Sequence, residues 1–150
     1  MRACPFTGSA TPAKAESLPF ALSSKIGEVI LAAPDIDADV FRDEIAPRMT
    51  EWKRPITLYA SSKDRALEAS KFVHRYPRAG EAGPAIVVVP GVETIDATNR
   101  STDLIDHSYF GDNDSILADM FYMFRGRAAK DRFGLIPMQV PAGDYWMFVK

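Results

Sequence analysis

Two side chains in this sequence could carry acid–base chemistry together, the carboxylate of Asp64 and the imidazole of His107. An imidazole can take the proton of a serine hydroxyl, which is otherwise a weak nucleophile. The imidazole needs a carboxylate on its other nitrogen, which fixes its tautomer and stabilises the imidazolium. Asp64 is expected just after one strand and His107 in a loop after the next, so that the two residues form an acid–histidine pair.

Three short apolar runs predict buried strands. Residues 28–33, 55–60 and 84–89 are rich in Val, Ile, Leu and Ala, and a proline follows the first and the third. Continuous apolar runs of this length are typical of strands that are buried on both faces of a parallel sheet. Residues 145–149 are predicted to form a further short strand or a docked tail.

Helices are predicted over residues 38–46, 64–74 and 114–125, between and after the strands. Asp35 or Asp37 is available as the N-cap of the first helix.

The helix over 114–125 has the strongest amphipathic pattern. Asp114 and Asp119 are expected to stay on its polar side, and Gly126 follows its last turn. Its apolar stripe, expected to pack on the sheet, consists of Ile116, Leu117, Met120, Phe121 and Phe124.

Alternation of strands and helices predicts an open α/β sheet. Catalytic groups in such sheets follow the carboxyl ends of the strands. The positions that meet this condition are Asp35 and Asp37 after the first strand, residues 61–64 after the second, and the loop 91–107 after the third.

Several strings of the sequence resemble a family of uncharacterised α/β hydrolases in the esterase/lipase superfamily. The longest are Val-Ile-Leu-Ala-Ala-Pro-Asp-Ile-Asp at 29–37 and Leu-Tyr-Ala-Ser-Ser-Lys-Asp-Arg-Ala-Leu at 58–67. The resemblance continues through residues 78–80, 91–97 and 107–110. Each string is weak alone, but the ordered series, which spans roughly residues 26–124, is specific.

This resemblance implies a fold, a reaction and two site residues. Residues 25–150 would form the C-terminal half of an α/β-hydrolase domain, a mostly parallel sheet flanked by helices, and residues 1–24 a poorly ordered or remnant lead. Asp64 would be the acid and His107 the histidine of a catalytic triad that hydrolyses a small acyl ester. No cofactor is expected. A Cys/His zinc site is not expected either, because His74 and His107 are not spaced as ligands with Cys4.

The sequence departs from the family at the nucleophile. A Gly-x-Ser-x-Gly elbow is expected before Lys25, and Gly8-Ser9-Ala10 lacks both the second glycine and a preceding apolar strand. The chain is therefore expected to be inactive alone, and the alternative is a truncated, non-catalytic binding or structural module. Without the preceding strands, the run 28–33 would become an open sheet edge, which favours self-association.

Other candidates for chemistry are weaker. Asp35 and Asp37 are rival triad acids, because some hydrolases place the acid one strand earlier, and His74 is expected to close a helix. A net charge of −2 with mixed signs predicts no nucleic-acid partner. Cys4 is the single cysteine, so an intrachain disulfide is excluded. No signal-peptide run or membrane-length apolar stretch occurs, and a cytoplasmic location is the expectation.

Overall fold

The computed structural model describes residues 26–62, 76–99 and 114–149. In this part of the chain, one sheet has the strand order β1-β2-β3-β5-β4. Its strands are β1 (Val29–Ala32), β2 (Ile56–Ala60), β3 (Glu93–Asp96), β4 (Leu135–Val140) and β5 (Gly143–Phe148).

The sheet is mostly parallel, as predicted. β1, β2, β3 and β5 run in the same direction, and β4 pairs antiparallel to β5 as a hairpin. The predicted strands over 28–33 and 55–60 are confirmed as β1 and β2, and the segment 145–149 falls largely within β5. Every residue of β2 is buried, which accounts for its unbroken apolar sequence.

The predicted third strand over 84–89 is wrong. Residues 86–89 are buried but belong to no strand, and β3 lies farther on, inside the segment that was expected to be a loop. Val87 and Val89 pack on one apolar cluster and Ile86 and Val88 on another, so both sides of this segment are covered without strand pairing. The apolar run therefore indicates burial but not strand pairing.

One face of the sheet is covered by a continuous helical segment. α1 (Ala38–Val40) passes through a π-helical stretch (Phe41–Ile45) into α2 (Ala46–Thr50). Phe41 is fully buried and packs in a core cluster with Leu58 of β2. The predicted helix over 38–46 is confirmed and continues to residue 50.

The other face is covered by α3 (Asp114–Phe124), which confirms the predicted helix. Ile116 is fully buried in a cluster with Tyr59 and Ile95. The predicted apolar stripe is only partly correct, because three of its members, Leu117, Phe121 and Phe124, are exposed.

The expectation for Asp119 was also wrong. This residue is fully buried rather than on the polar side of the helix. The face of α3 that packs on the sheet is thus formed by Ile116, Asp119 and Met123 instead of the predicted stripe.

Candidate functional site

The carboxyl edge of the sheet brings together the chain segments that leave β2 and β3. Ala60 at the end of β2 is paired with Asp96 at the end of β3, and the N–H of Ala97 donates to the carbonyl of Ala60 at 2.8 Å. The residues that follow, Ser61–Ser62 on one side and Ala97–Thr98 on the other, therefore begin side by side.

A side-chain link continues this contact beyond the end of the strand ladder. The backbone N–H of Ser62 donates to Thr98 Oγ1 at 2.9 Å, and the hydroxyl of Ser62 donates to the same oxygen at 3.2 Å. The N–H of Thr98 donates to Asp96 Oδ1 at 2.8 Å, which holds the turn after β3. The two exits from the sheet are thus cross-linked.

A short segment before β3 lies against the ends of β1 and β2. The N–H of Gly80 donates to the carbonyl of Pro34 at 3.0 Å, and the N–H of Ser61 donates to the carbonyl of Gly80 at 2.9 Å. A Cβ on Gly80 would lie 2.3 Å from the carbonyl carbon of Ala33. Only glycine can approach the backbone this closely, so Gly80 fixes the geometry of the edge.

Asp35 and Asp37, the rival acids, have other partners in the structure. Asp35 Oδ1 lies 3.1 Å from Nε of Arg78, whose side chain is largely buried. Asp37 Oδ1 accepts from the N–H groups of Asp39 and Val40, at 2.9 and 3.1 Å, and so caps α1. Both carboxylates have structural roles at the end of β1.

Asp64 and His107 lie outside the described residues, as does His74. The described chain nevertheless fixes where their segments are attached. Asp64 is two residues beyond Ser62, and residues 100–113, which include His107, connect β3 to α3.

Both ends of the segment 100–113 are attached at the carboxyl edge. Asp114, at the start of α3, borders a surface cavity of about 220 Å³ together with Phe148 and Val149. Phe148 follows Met147, which is paired with Asp96. The start of α3 therefore lies at the same edge as the end of β3.

A buried polar cluster beneath α3 was not predicted from the sequence. The hydroxyl of Tyr59 donates to Asp119 Oδ2 at 2.5 Å, and Nη1 of Arg132 lies 3.3 Å from the same oxygen. Nη2 of Arg132 also contacts the carboxylate of Glu93 and the hydroxyl of Thr57. The side chain of Arg132 is only 1% exposed, so this cation is almost completely buried among its partners.

The charges in this cluster shift one another's ionisation. Burial raises the pKa of Asp119, and the hydrogen bond from Tyr59 and the charge of Arg132 oppose that rise. Burial and the neighbouring Asp119 carboxylate raise the pKa of Tyr59 above its ordinary value. Burial likewise raises the pKa of Glu28, which lines a cavity of about 190 Å³ with Glu93 and Arg132. The sequence signal that could have indicated the cluster is a second apolar stripe in this helix, formed by Ile116, Met120 and Met123, which includes position 119.

Neither a metal site nor a membrane span is found in the described ranges. Within residues 26–62, 76–99 and 114–149, no group of three or more His, Cys, Asp or Glu side chains could hold a metal ion. In the same ranges, no helix has both the length and the apolar character needed to cross a bilayer.

Comparison with known proteins gives one match. Residues 13–124 match a protein family described as alpha/beta hydrolase of unknown function (DUF900). No significant match was found among curated proteins or among solved structures. The match covers most of the chain and ends where α3 ends, and the mostly parallel sheet with helices on both faces agrees with it. The chain therefore belongs to this family of alpha/beta hydrolases.

Proposed function

We propose that this chain supplies the acid and the base for hydrolysis of a carboxylic ester. In this proposal, Asp64 accepts a hydrogen bond from His107 and holds its imidazole in one tautomer. His107 removes the proton of a nucleophilic serine and later returns that proton to the leaving alcohol. His107 then removes a proton from water, which attacks the acyl carbon, and returns the proton to the serine oxygen as its bond to the acyl group breaks. The substrate class is a small acyl ester, of the esterase or lipase type.

The link between Ser62 and Thr98 carries the proposal. It ties the turn that leads to Asp64 to the turn that leads toward His107, at the carboxyl edge where α/β sheets place their catalytic groups. The engagement of Asp37 in the cap of α1 and of Asp35 with Arg78 favours Asp64 over its two rivals.

The serine is the missing component. No Gly-x-Ser-x-Gly string occurs in residues 1–150. The proposal therefore assigns the nucleophile and the oxyanion hole to polypeptide beyond these residues, and the first test must report on the acid–base pair without requiring turnover.

Proton NMR of the two histidines meets that condition, because the chain contains only His74 and His107. A carboxylate beside an imidazole stabilises its charged form, so Asp64→Asn is expected to lower the pKa of His107 by about one unit. His74 is the internal reference and should titrate as in the parent protein. Asp35→Asn is the matched control and should leave His107 unchanged.

Two results would contradict this assignment. If Asp64→Asn leaves the titration of His107 unchanged, the two residues are not a pair, and a non-catalytic binding or structural module becomes the better description. If Asp35→Asn lowers the pKa of His107 instead, the acid lies one strand earlier.

A further inference from the structure

We propose that one exposed side of α3 is a contact surface for a second copy of this chain. In the resulting dimer, the two α3 helices pack antiparallel about a two-fold axis. The inference does not rest on the acid–imidazole pair, because every residue that forms the surface lies in the described part of the chain.

The surface is a row of five residues along α3, which we call the α3 stripe. Each member is three or four positions from another member, the spacing that places side chains on the same side of a helix. An acid begins the row, an arginine ends it and three apolar side chains lie between them: Asp114, Leu117, Phe121, Phe124 and Arg125. Opposite charges therefore lie at the two ends of an apolar surface, about 16 Å apart along the helix axis.

Arg125 belongs to the row although it follows the last helical residue. Its N–H donates to the carbonyl of Tyr122 at 3.1 Å, which continues the final turn of the helix. Its guanidinium carbon lies 4.9 Å from the centroid of the Phe121 ring. The positive charge is therefore held beside the apolar side chains of the α3 stripe.

The apolar part of the α3 stripe is exposed along its whole length. Leu117, Phe121 and Phe124 are 43, 56 and 65% exposed, whereas the side of the helix that packs on the sheet is buried. Single apolar side chains are common on protein surfaces, but contiguous ones are typical of interaction sites. The α3 stripe therefore indicates a surface that binds another molecule.

The charges at its two ends select a second copy in the antiparallel orientation. Neither Asp114 nor Arg125 forms an ion pair with another described residue. In an antiparallel pair, Asp114 of each copy lies opposite Arg125 of the other, and the apolar side chains meet between them. A two-fold interface must be complementary to itself, and the α3 stripe meets this condition. Parallel packing would place like charges together, and an anionic membrane would be repelled by Asp114.

The contact is small, so the dimer should be weak. α3 has 11 residues, and only one side of it is available. Interfaces that bury less than about 1,200 Å² are typical of weak or transient complexes. We expect a dissociation constant of roughly 100 μM, which sedimentation equilibrium can measure. Added salt should weaken the dimer, because it screens the two charge pairs.

Charge reversal at either end of the α3 stripe tests this arrangement. Asp114→Arg and Arg125→Asp should each weaken the dimer by about tenfold, because each creates two like-charge contacts related by the two-fold axis. The double variant exchanges the charges and should restore the parent dissociation constant to within about threefold. Phe124→Ser removes part of the apolar contact and should also weaken the dimer by about tenfold. Asp43→Arg is the matched control, since it makes the same charge change at an exposed position on the other face of the sheet and should have no effect.

A mixture of the two single variants tests the antiparallel geometry directly. The Asp114→Arg chain has two positive charges on its stripe, and the Arg125→Asp chain has two negative charges. Both contacts in the mixed dimer are then between opposite charges, so it should form about tenfold more tightly than either variant with itself. Restored association would also show that the single variants are folded.

Four results would overturn the inference. The first is a parent chain that is monomeric at about 1 mM, and the second is a pair of single variants that associate as well as the Asp43→Arg control. The third is a mixture that associates no more tightly than its components. The fourth is a monomeric parent chain that binds vesicles of phosphatidylcholine and phosphatidylserine through Phe124, which would make a membrane the partner. Association through the edge of β1 is common to all variants and would not produce the expected pattern.

Discussion

Replacing Arg132 by methionine is expected to destabilise the protein by about 3–5 kcal/mol at neutral pH, the cost of removing one partner from a buried ion pair. The guanidinium donates to the carboxylates of Asp119 and Glu93, to the hydroxyl of Thr57 and, through Nε, to the carbonyl of Arg127 at 2.9 Å. Methionine fills much of the same volume but donates to none of these acceptors, so Asp119 keeps the hydrogen bond from Tyr59 and loses its neighbouring positive charge. Since small domains are stable by only about 5–15 kcal/mol, this single change removes a large part of the total.

The cost should depend on pH because Asp119 becomes an uncompensated buried carboxylate. Arg132 opposes the rise in the pKa of Asp119, so its removal raises that pKa further. A carboxyl group whose folded-state pKa lies above its unfolded value binds more protons in the folded protein. The free energy of unfolding then falls as pH rises through the folded-state pKa. The destabilisation by Arg132→Met should therefore be smallest near pH 4 and largest at pH 7 and above.

Urea denaturation of the parent protein and the variant, at several pH values from 4 to 8, measures this effect. Asp119→Asn added to Arg132→Met removes the most deeply buried charge and should recover about 1–3 kcal/mol at pH 7. It should also reduce the added pH dependence, and the remainder is expected from Glu93 and Glu28, which lose the same cation. The control is Arg42→Met, which breaks an exposed pair with Asp39 and should cost less than about 1 kcal/mol. A loss for Arg132→Met no greater than that of the control, or one that does not change with pH, would show that water reaches the cluster and would refute the reasoning.

Three further substitutions test other parts of the fold. Gly80→Ala should cost about 3 kcal/mol or prevent folding, because the new Cβ meets the backbone of Ala33. Gly27→Ala is the control and should be nearly neutral, because a Cβ at Gly27 has nothing within 4 Å. Equal midpoints of thermal melting for the two variants would contradict the close approach at Gly80. Tyr59→Phe should cost about 1–3 kcal/mol in urea denaturation, because it removes a donor from buried Asp119, and a neutral result would mean that the carboxyl group is satisfied otherwise. We also propose that the chain self-associates through the outer side of β1, which pairs with no other strand among the described residues. Ala32→Lys, at the exposed end of β1, should reduce the mass measured by light scattering, and Val40→Lys should not. A monomeric parent chain at high concentration would contradict this proposal.

Local sequence pattern was sufficient to predict the elements whose residues follow a simple apolar run or a regular helical period. β1 and β2 are short apolar runs, α1 begins at a capping aspartate, and α3 has a strong helical period. The carboxyl edge could also be predicted, because in a parallel sheet the chain direction alone decides where the loops after β2 and β3 begin.

The position of β3 could not be predicted by the same logic. Residues 86–89 are more apolar than Glu93–Asp96, yet the latter form the strand. Glu93 is paired with Thr57 in the ladder, and its carboxylate is compensated by Arg132, a residue 39 positions away. A charged residue in a sequence pattern predicts an exposed position, because the pattern does not show the distant residue whose opposite charge compensates it.

The C-terminal residues also stabilise elements that are distant from them in the sequence. The family match ends at residue 124, but Arg132 and the β4–β5 hairpin follow it. β5 pairs with the side of β3 that β2 leaves open, and Arg132 compensates Asp119 of α3 and Glu93 of β3. α3 and β3 are the two elements that flank the segment containing His107, so residues beyond the family match stabilise both attachments of that segment. Substitutions that destabilise the β4–β5 hairpin should therefore change the pKa of His107 while β1 remains paired with β2. β1 makes no ladder contact with β4 or β5.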